Sequence, residues 1–226
     1  MFATTTGHYR SATEINSAMG RVYGQMALAV LTSMVVSALV SSSPALMALL
    51  FGTALKWVVI FAPLVAVLGL SLAYEKISKP TLQILLHGFA ALMGVSFATI
   101  FVVYQMGSIV TAFMGAAILF GTLSFYGYFT KKDLSSWGSL LLVGLIAIVL
   151  ASIVNIFIGS TALQMTISAL AIIIFLGLTA YDTQRIREMV TYENDGKAEI
   201  MGALSLYMNF INIFLSLLQL FGNRNQ

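Results

Sequence analysis

The chain has 226 residues, a net charge of +3, 59% hydrophobic residues and only 8% charged ones. Soluble globular domains carry about 25% charged residues, so this chain cannot hydrate its own surface and lipid must cover most of it. It has no cysteine, which excludes thiol catalysis, thiolate metal sites and disulfides.

Long unbroken apolar runs favour helices over a barrel, whose strands would read as alternating segments of about 10 residues. A spanning helix needs roughly 20 mostly apolar residues. Residues 1–21 read as a polar N-terminal cytoplasmic segment without the apolar core of a cleaved signal. Spanning segments then come at about 22–42, 55–74, 81–104, 108–128, 135–158, 162–184 and 200–221. The stretch 44–58 is expected to be a connection, because Ala45 to Phe51 is too short to span and Lys56 interrupts the next apolar run. Arg185 to Glu199, the longest polar stretch, is expected to be a loop. The fold class is therefore an all-α integral membrane protein, with residues 22–226 forming a single seven-transmembrane-helix bundle.

Basic residues set orientation, because they collect on the cytoplasmic side. Arg10, Arg21, Lys76, Lys79, Lys131, Lys132, Arg185, Arg187 and Lys197 all fall on one side of a seven-span topology, leaving Lys56 and Arg224 on the other. The expectation is an N-terminus in the cytoplasm and a C-terminus outside. The positive charge is then an orientation signal, and no nucleic-acid partner is expected.

Ionisable groups inside a membrane are costly and need a reason. Of the eight carboxylates, Asp182 alone falls within a predicted span, and His87 is the one histidine in a span. Asp182 lies one turn from Arg185 and admits a simple interfacial ion pair as well as a functional role. His87 reads first as a hydrogen-bonded packing residue. Two histidines, His8 and His87, do not make a zinc site. No metal and no cofactor are expected, and the lack of clustered nucleophiles or acids speaks against an enzyme.

In the last span Ser205, Asn209, Asn212, Ser216 and Gln219 come at steps of four, three, four and three, which puts them on one face. Lipid cannot satisfy amides. The stripe faces the bundle interior, either as hydrogen-bonding glue between helices or as the wall of a polar path. His87, Ala91, Gly94 and Ala98 form a small face on the third span, Ser152 and Asn155 share a face on the fifth, and Thr179 precedes Asp182 by a turn. These faces would let the seventh span sit among the others.

The run Gly177-Leu178-Thr179-Ala180-Tyr181-Asp182-Thr183-Gln184, with Gly202 to Phe214 (GALSLYMNFINIF), resembles the signature of the Bax inhibitor-1 family, also called the transmembrane Bax-inhibitor-motif family. Thr130-Lys131-Lys132-Asp133-Leu134 is similar to the family's basic loop, and the likeness runs from about Arg21 to Leu220-Phe221-Gly222. The short tail looks like that of the bacterial branch, which places the chain in the plasma (inner) membrane.

The resemblance implies a seven-helix bundle with the C-terminal helix central. It implies a pH-modulated, calcium-permeable leak channel in which aspartates on the sixth and seventh helices form a hydrogen-bonded pair. Asp182 matches the first aspartate; Asn209 stands at the second, and it can donate to a carboxylate but cannot titrate. The resemblance thus gives Asp182 and Asn209 as the pH-sensing residues. Pore-lining candidates are Ser205, Asn212, Ser216, Asn155 and His87, with Lys76 as a latch candidate. The alternative it implies is a regulatory protein that binds a membrane-bound ATP-dependent protease without conducting ions, its polar N-terminal segment being the place to look for the partner surface.

Overall fold

The structure, a computed structural model, describes residues 10–193 and 195–225. Its helices are α1 (Ala12–Ser41), α2 (Pro44–Phe51), α3 (Leu55–Ala73, prolonged by a tighter turn to Lys76), α4 (Lys79–Val103), α5 (Met106–Phe129), α6 (Ser135–Ile158), α7 (Thr161–Tyr192) and α8 (Lys197–Phe221). Among the described residues, all but α2 are long and apolar enough to cross a membrane, seven in total.

Three boundaries differ from the sequence reading. Helix α1 begins at Ala12, so the second half of the expected polar segment 1–21 is helical, and residues 1–9 lie outside the described residues. The cause is local. The Ser11 side chain accepts from the Glu14 backbone N–H, and the Glu14 carboxylate accepts from the Ser11 N–H at 2.7 Å. This capping box starts a helix whatever the hydropathy of its first turns. The connection 44–58 contains α2, capped by Ser43 with Pro44 at its first position, and Lys56 already belongs to α3. The expected loop from Arg185 to Glu199 is mostly helix: α7 runs on to Tyr192 and α8 starts at Lys197. Ile186 and Val190 keep the buried face of α7 going past the apolar window, which a hydropathy ruler does not register.

Helix α8 is the most buried, with 72% of its spanning window inside, against 11 to 33% for the other six. It packs on α7, α1, α5 and α4, while α6 leans mainly on α7 and α3 on α4. Phe157 and Leu72 are 85% and 86% exposed; such apolar surface is expected to meet lipid. Between lipid-covered helices water supplies no drive, so close packing and hydrogen bonds hold the bundle. A Cβ on Gly94 would sit 2.6 Å from the Ser33 carbonyl oxygen, so glycine sets the α1–α4 spacing. Gly127 does the same for α5 against the Ala180 backbone of α7. The aromatic rings of Phe113 and Phe120 meet Phe210 edge-on, fixing α5 on α8.

Pro63 interrupts α3 and has no N–H for the Val59 carbonyl four residues earlier. The Ser96 hydroxyl of α4 donates to that oxygen at 2.8 Å instead. In an apolar surrounding each such group needs a partner. At the two ends of the bundle different contacts gather. One end joins Arg10, Arg21 and Glu199. At the other, the α4–α5 turn pairs with the tail through Gln105 N–H to Asn223 O (3.0 Å) and Asn225 N–H to Val103 O (2.9 Å).

Candidate functional site

Asp182, Thr183 and Gln184 are three consecutive polar residues where the apolar part of α7 gives way to Arg185 and Arg187, and successive residues point about 100° apart. Each therefore reaches a different neighbour. Asp182, 8% exposed, turns to α8. Its Oδ2 accepts from Asn209 Nδ2 at 2.7 Å and from Ser205 Oγ at 2.9 Å. Thr183, fully buried, meets the Ser124 hydroxyl of α5 at 3.0 Å, and Ser124 meets the Tyr23 hydroxyl of α1 at 2.6 Å. Gln184 clamps the α5–α6 loop: its Oε1 accepts from Leu134 N–H at 2.8 Å and its Nε2 donates to Lys132 O at 2.9 Å. One turn of α7 thus holds α8, α5 and the basic loop.

Asp182 borders a cavity of about 640 Å³ between α3, α6, α7 and α8. Ser205, Asn209 and Asn212 line one wall, Leu145, Val149 and Phe175 another, and Ser71, Tyr74 and Arg185 also border it. Asn212 donates to its own helix, Nδ2 to Met208 O at 2.8 Å. The first three residues of the stripe expected on the last span thus share one space with Asp182, whereas Gln219 at its far end is exposed and does not face the interior as expected.

The other candidates fall elsewhere. Ser216 is buried farther along α8 and is not among the described lining residues. Asn155 is buried on α6, bonded to Gln164 and to the Ser160 N–H. His87 sits half-buried on α4, outside the cavity lining. Lys76 ends the exposed turn after α3 and does not line the cavity; the cation that does is Arg185.

One buried carboxylate escaped the sequence reading. Glu199, 4% exposed in the first turn of α8, accepts from Arg21 through Nε (2.8 Å) and Nη2 (2.7 Å) and from Arg10 Nη1 (3.3 Å). It joins the N-terminal arm to α8. The signal in the sequence was a lone acid opening an apolar helix, with two arginines near the N-terminus; taking 185–199 as loop hid it. Asp133, in the α5–α6 loop, is held below the usual carboxylate range by the Ser135 hydroxyl and backbone N–H, the latter at 2.8 Å.

Comparison with known proteins covers this part of the chain. The model of the family described as inhibitor of apoptosis-promoting Bax1 matches residues 15–226. The chain is 41% identical over 213 residues to the inner membrane protein YbhL of Escherichia coli K12, covering 91% of both chains. It is 36% identical over 226 residues to an uncharacterized protein of Rickettsia prowazekii, covering 98% of this chain and 96% of that one. An uncharacterized protein of Caulobacter vibrioides is 40% identical over 220 residues, with 91% and 88% covered. The match takes in α7, α8 and the loop that Gln184 clamps, and this seven-span membrane protein belongs to the Bax inhibitor-1 family.

Proposed function

We propose that the chain is a pH-modulated, calcium-permeable leak pathway of the inner membrane, with α8 central to it and Asp182 as the titrating group. The observation that carries this reading is the buried Asp182 carboxylate at the edge of an interhelical cavity, with Asn209 and Ser205 both donating to Oδ2. A proton on Oδ2 displaces a donor from α8, and one on Oδ1 weakens both bonds by removing the charge that they meet. Protonation is thereby coupled to the α7–α8 contact, and a shift between two arrangements results.

Asn209 makes this a one-acid device. A single carboxylate is a weak lure for a divalent ion compared with an oxygen-rich site, which suits a leak, since a permeating ion must also leave. The inner-membrane assignment is supported by the likeness to YbhL, and a cytoplasmic N-terminus by the distribution of the basic residues.

The test is calcium flux into proteoliposomes holding the purified chain, across a pH series, beside Asp182→Ala. Flux that varies with pH and loses that variation in Asp182→Ala is the expected result. No flux above empty vesicles in either protein overturns the leak and favours the regulatory reading, in which the chain engages a membrane-bound ATP-dependent protease.

A further inference from the structure

The polar face of α8 continues beyond the cavity. Asn212 is the last stripe residue lining it, and Gln219 lies seven residues farther on, about 10 Å along the helix. There the stripe is tied off. Gln219 Oε1 accepts from Gln164 Nε2 at 2.8 Å and from Ser168 Oγ at 2.7 Å, both on α7. Gln164 Oε1 accepts from Asn155 Nδ2 of α6 at 3.0 Å. Asn155 Oδ1 accepts from the Ser160 N–H, in the turn joining α6 to α7, at 3.1 Å. A chain of amides thus fastens α6, α7 and α8, three of the four helices around the Asp182 cavity.

The chemistry of this seam differs from that of an apolar one. A carboxamide both donates and accepts, so when the helices part each group re-pairs with water and no buried orphan is left. An aliphatic seam has no such exchange and stays dry. The seam also stands in line with the polar stripe, at the end of α8 away from Arg21 and Glu199.

We propose that the Gln219–Gln164–Asn155 chain is a second gate, closing the pathway at the end remote from Asp182 and opening by exchange of amide–amide bonds for water. This rests on the leak reading. The two gates are physically distinct. Asp182 answers to protons, whereas the amide seam has no titrating group among its bonded partners Asn155, Ser160, Gln164, Ser168 and Gln219. In the sequence the nearest charged residue of the tail is Arg224, beyond Gly222.

The absence of cysteine makes a direct test possible. Ser216→Cys, one turn inward of Gln219, is placed in the full chain in proteoliposomes, and a membrane-impermeant maleimide is applied from each face. Labelling from the face where Gly222 emerges is slow in the parent and at least tenfold faster with Gln219→Ala or Gln164→Ala. Gln219→Glu keeps the acceptor for both donors and stays within about twofold of the parent. The two alanine changes together add little to either alone, because both break the shared Gln164–Gln219 bond. If Gln219→Ala does not fold, Gln219→Met, which keeps the length without the acceptor, takes its place. Unchanged labelling in both alanine variants overturns the gate, as does fast labelling of Gln219→Glu. Labelling needs no ion flux, so a chain that conducts but labels slowly in every variant rejects the gate alone. A chain without flux rejects the leak reading, and with it the gate that rests on that reading, whatever the labelling.

Discussion

Asn209 places Nδ2 2.7 Å from Oδ2 of Asp182, the distance of a strong amide–carboxylate hydrogen bond. An aspartate at 209 would put a second carboxylate against the first. Two carboxylates that close cannot both ionise cheaply and share a proton. Asn209→Asp is expected to lose stability relative to the parent as pH rises and the shared proton is drawn off, by about 1–3 kcal/mol at pH 8. The gap closes as pH falls and one carboxyl stays protonated. Thermal unfolding in detergent across pH 5 to 8 reads this directly, and a gap independent of pH would refute it. In the flux assay the same variant should show a steeper pH dependence than the parent.

Much of this site was legible in the sequence because it obeys helical arithmetic. The steps from Ser205 to Asn212 place three polar residues on one face, and Asp182 is the carboxylate within a predicted span. The pairing of Asp182 with Asn209 came through resemblance and that with Ser205 was not foreseen, since spacing within a helix says nothing about which helix faces it. The role of Gln184 was hidden for a similar reason. Its partners are backbone groups of Lys132 and Leu134, about fifty residues away, and backbone groups leave no mark in the sequence. Glu199 was misplaced because hydropathy measures where lipid ends, and α7 and α8 continue past that point.

The Ser96–Val59 contact gives a double-mutant cycle. Ser96→Ala leaves the Val59 carbonyl without its donor, since Pro63 offers no N–H. The expected cost is about 1–3 kcal/mol, that of a buried unpaired polar group. Pro63→Ala restores the helical N–H at that carbonyl, so in its background Ser96→Ala should cost about 1 kcal/mol or less. Equal costs in the two backgrounds would show that the hydroxyl acts by packing alone.

Gln184→Leu keeps volume and removes both bonds to the α5–α6 loop. The expected result is faster proteolysis at Lys131 and Lys132, whose exposed side chains are already accessible, with Asp182 accessibility unchanged. Asp133 adds a pH test. Its carboxyl lies below its ordinary value, so its support for the start of α6 is complete above about pH 4 and fades as pH falls through its own lower value. Asp133→Asn should therefore differ from the parent at neutral pH and converge with it in acid. A difference that persists unchanged into acid would assign the effect to something other than charge.

Arg21 and Glu199 form an asymmetric pair, and the asymmetry predicts which side is costlier to lose. The Arg21 side chain is 52% exposed and that of Glu199 6%. Without Glu199, Arg21 turns to water at small cost, so Glu199→Gln, which keeps an acceptor in place, is expected to lose about 1 kcal/mol or less. Without Arg21, Glu199 retains the longer contact to Arg10 at 3.3 Å and stays buried. Arg21→Ala is expected to cost about 1–3 kcal/mol, less than a fully enclosed pair because one partner already meets solvent. Arg21→Lys should recover only part, since lysine cannot supply the two-pronged contact made by Nε and Nη2. Unfolding midpoints of the three variants order as Glu199→Gln, Arg21→Lys, Arg21→Ala from highest to lowest. A Glu199→Gln midpoint below that of Arg21→Ala would mean that the carboxylate is held chiefly by Arg10, and that the N-terminal arm rather than α1 anchors the start of α8.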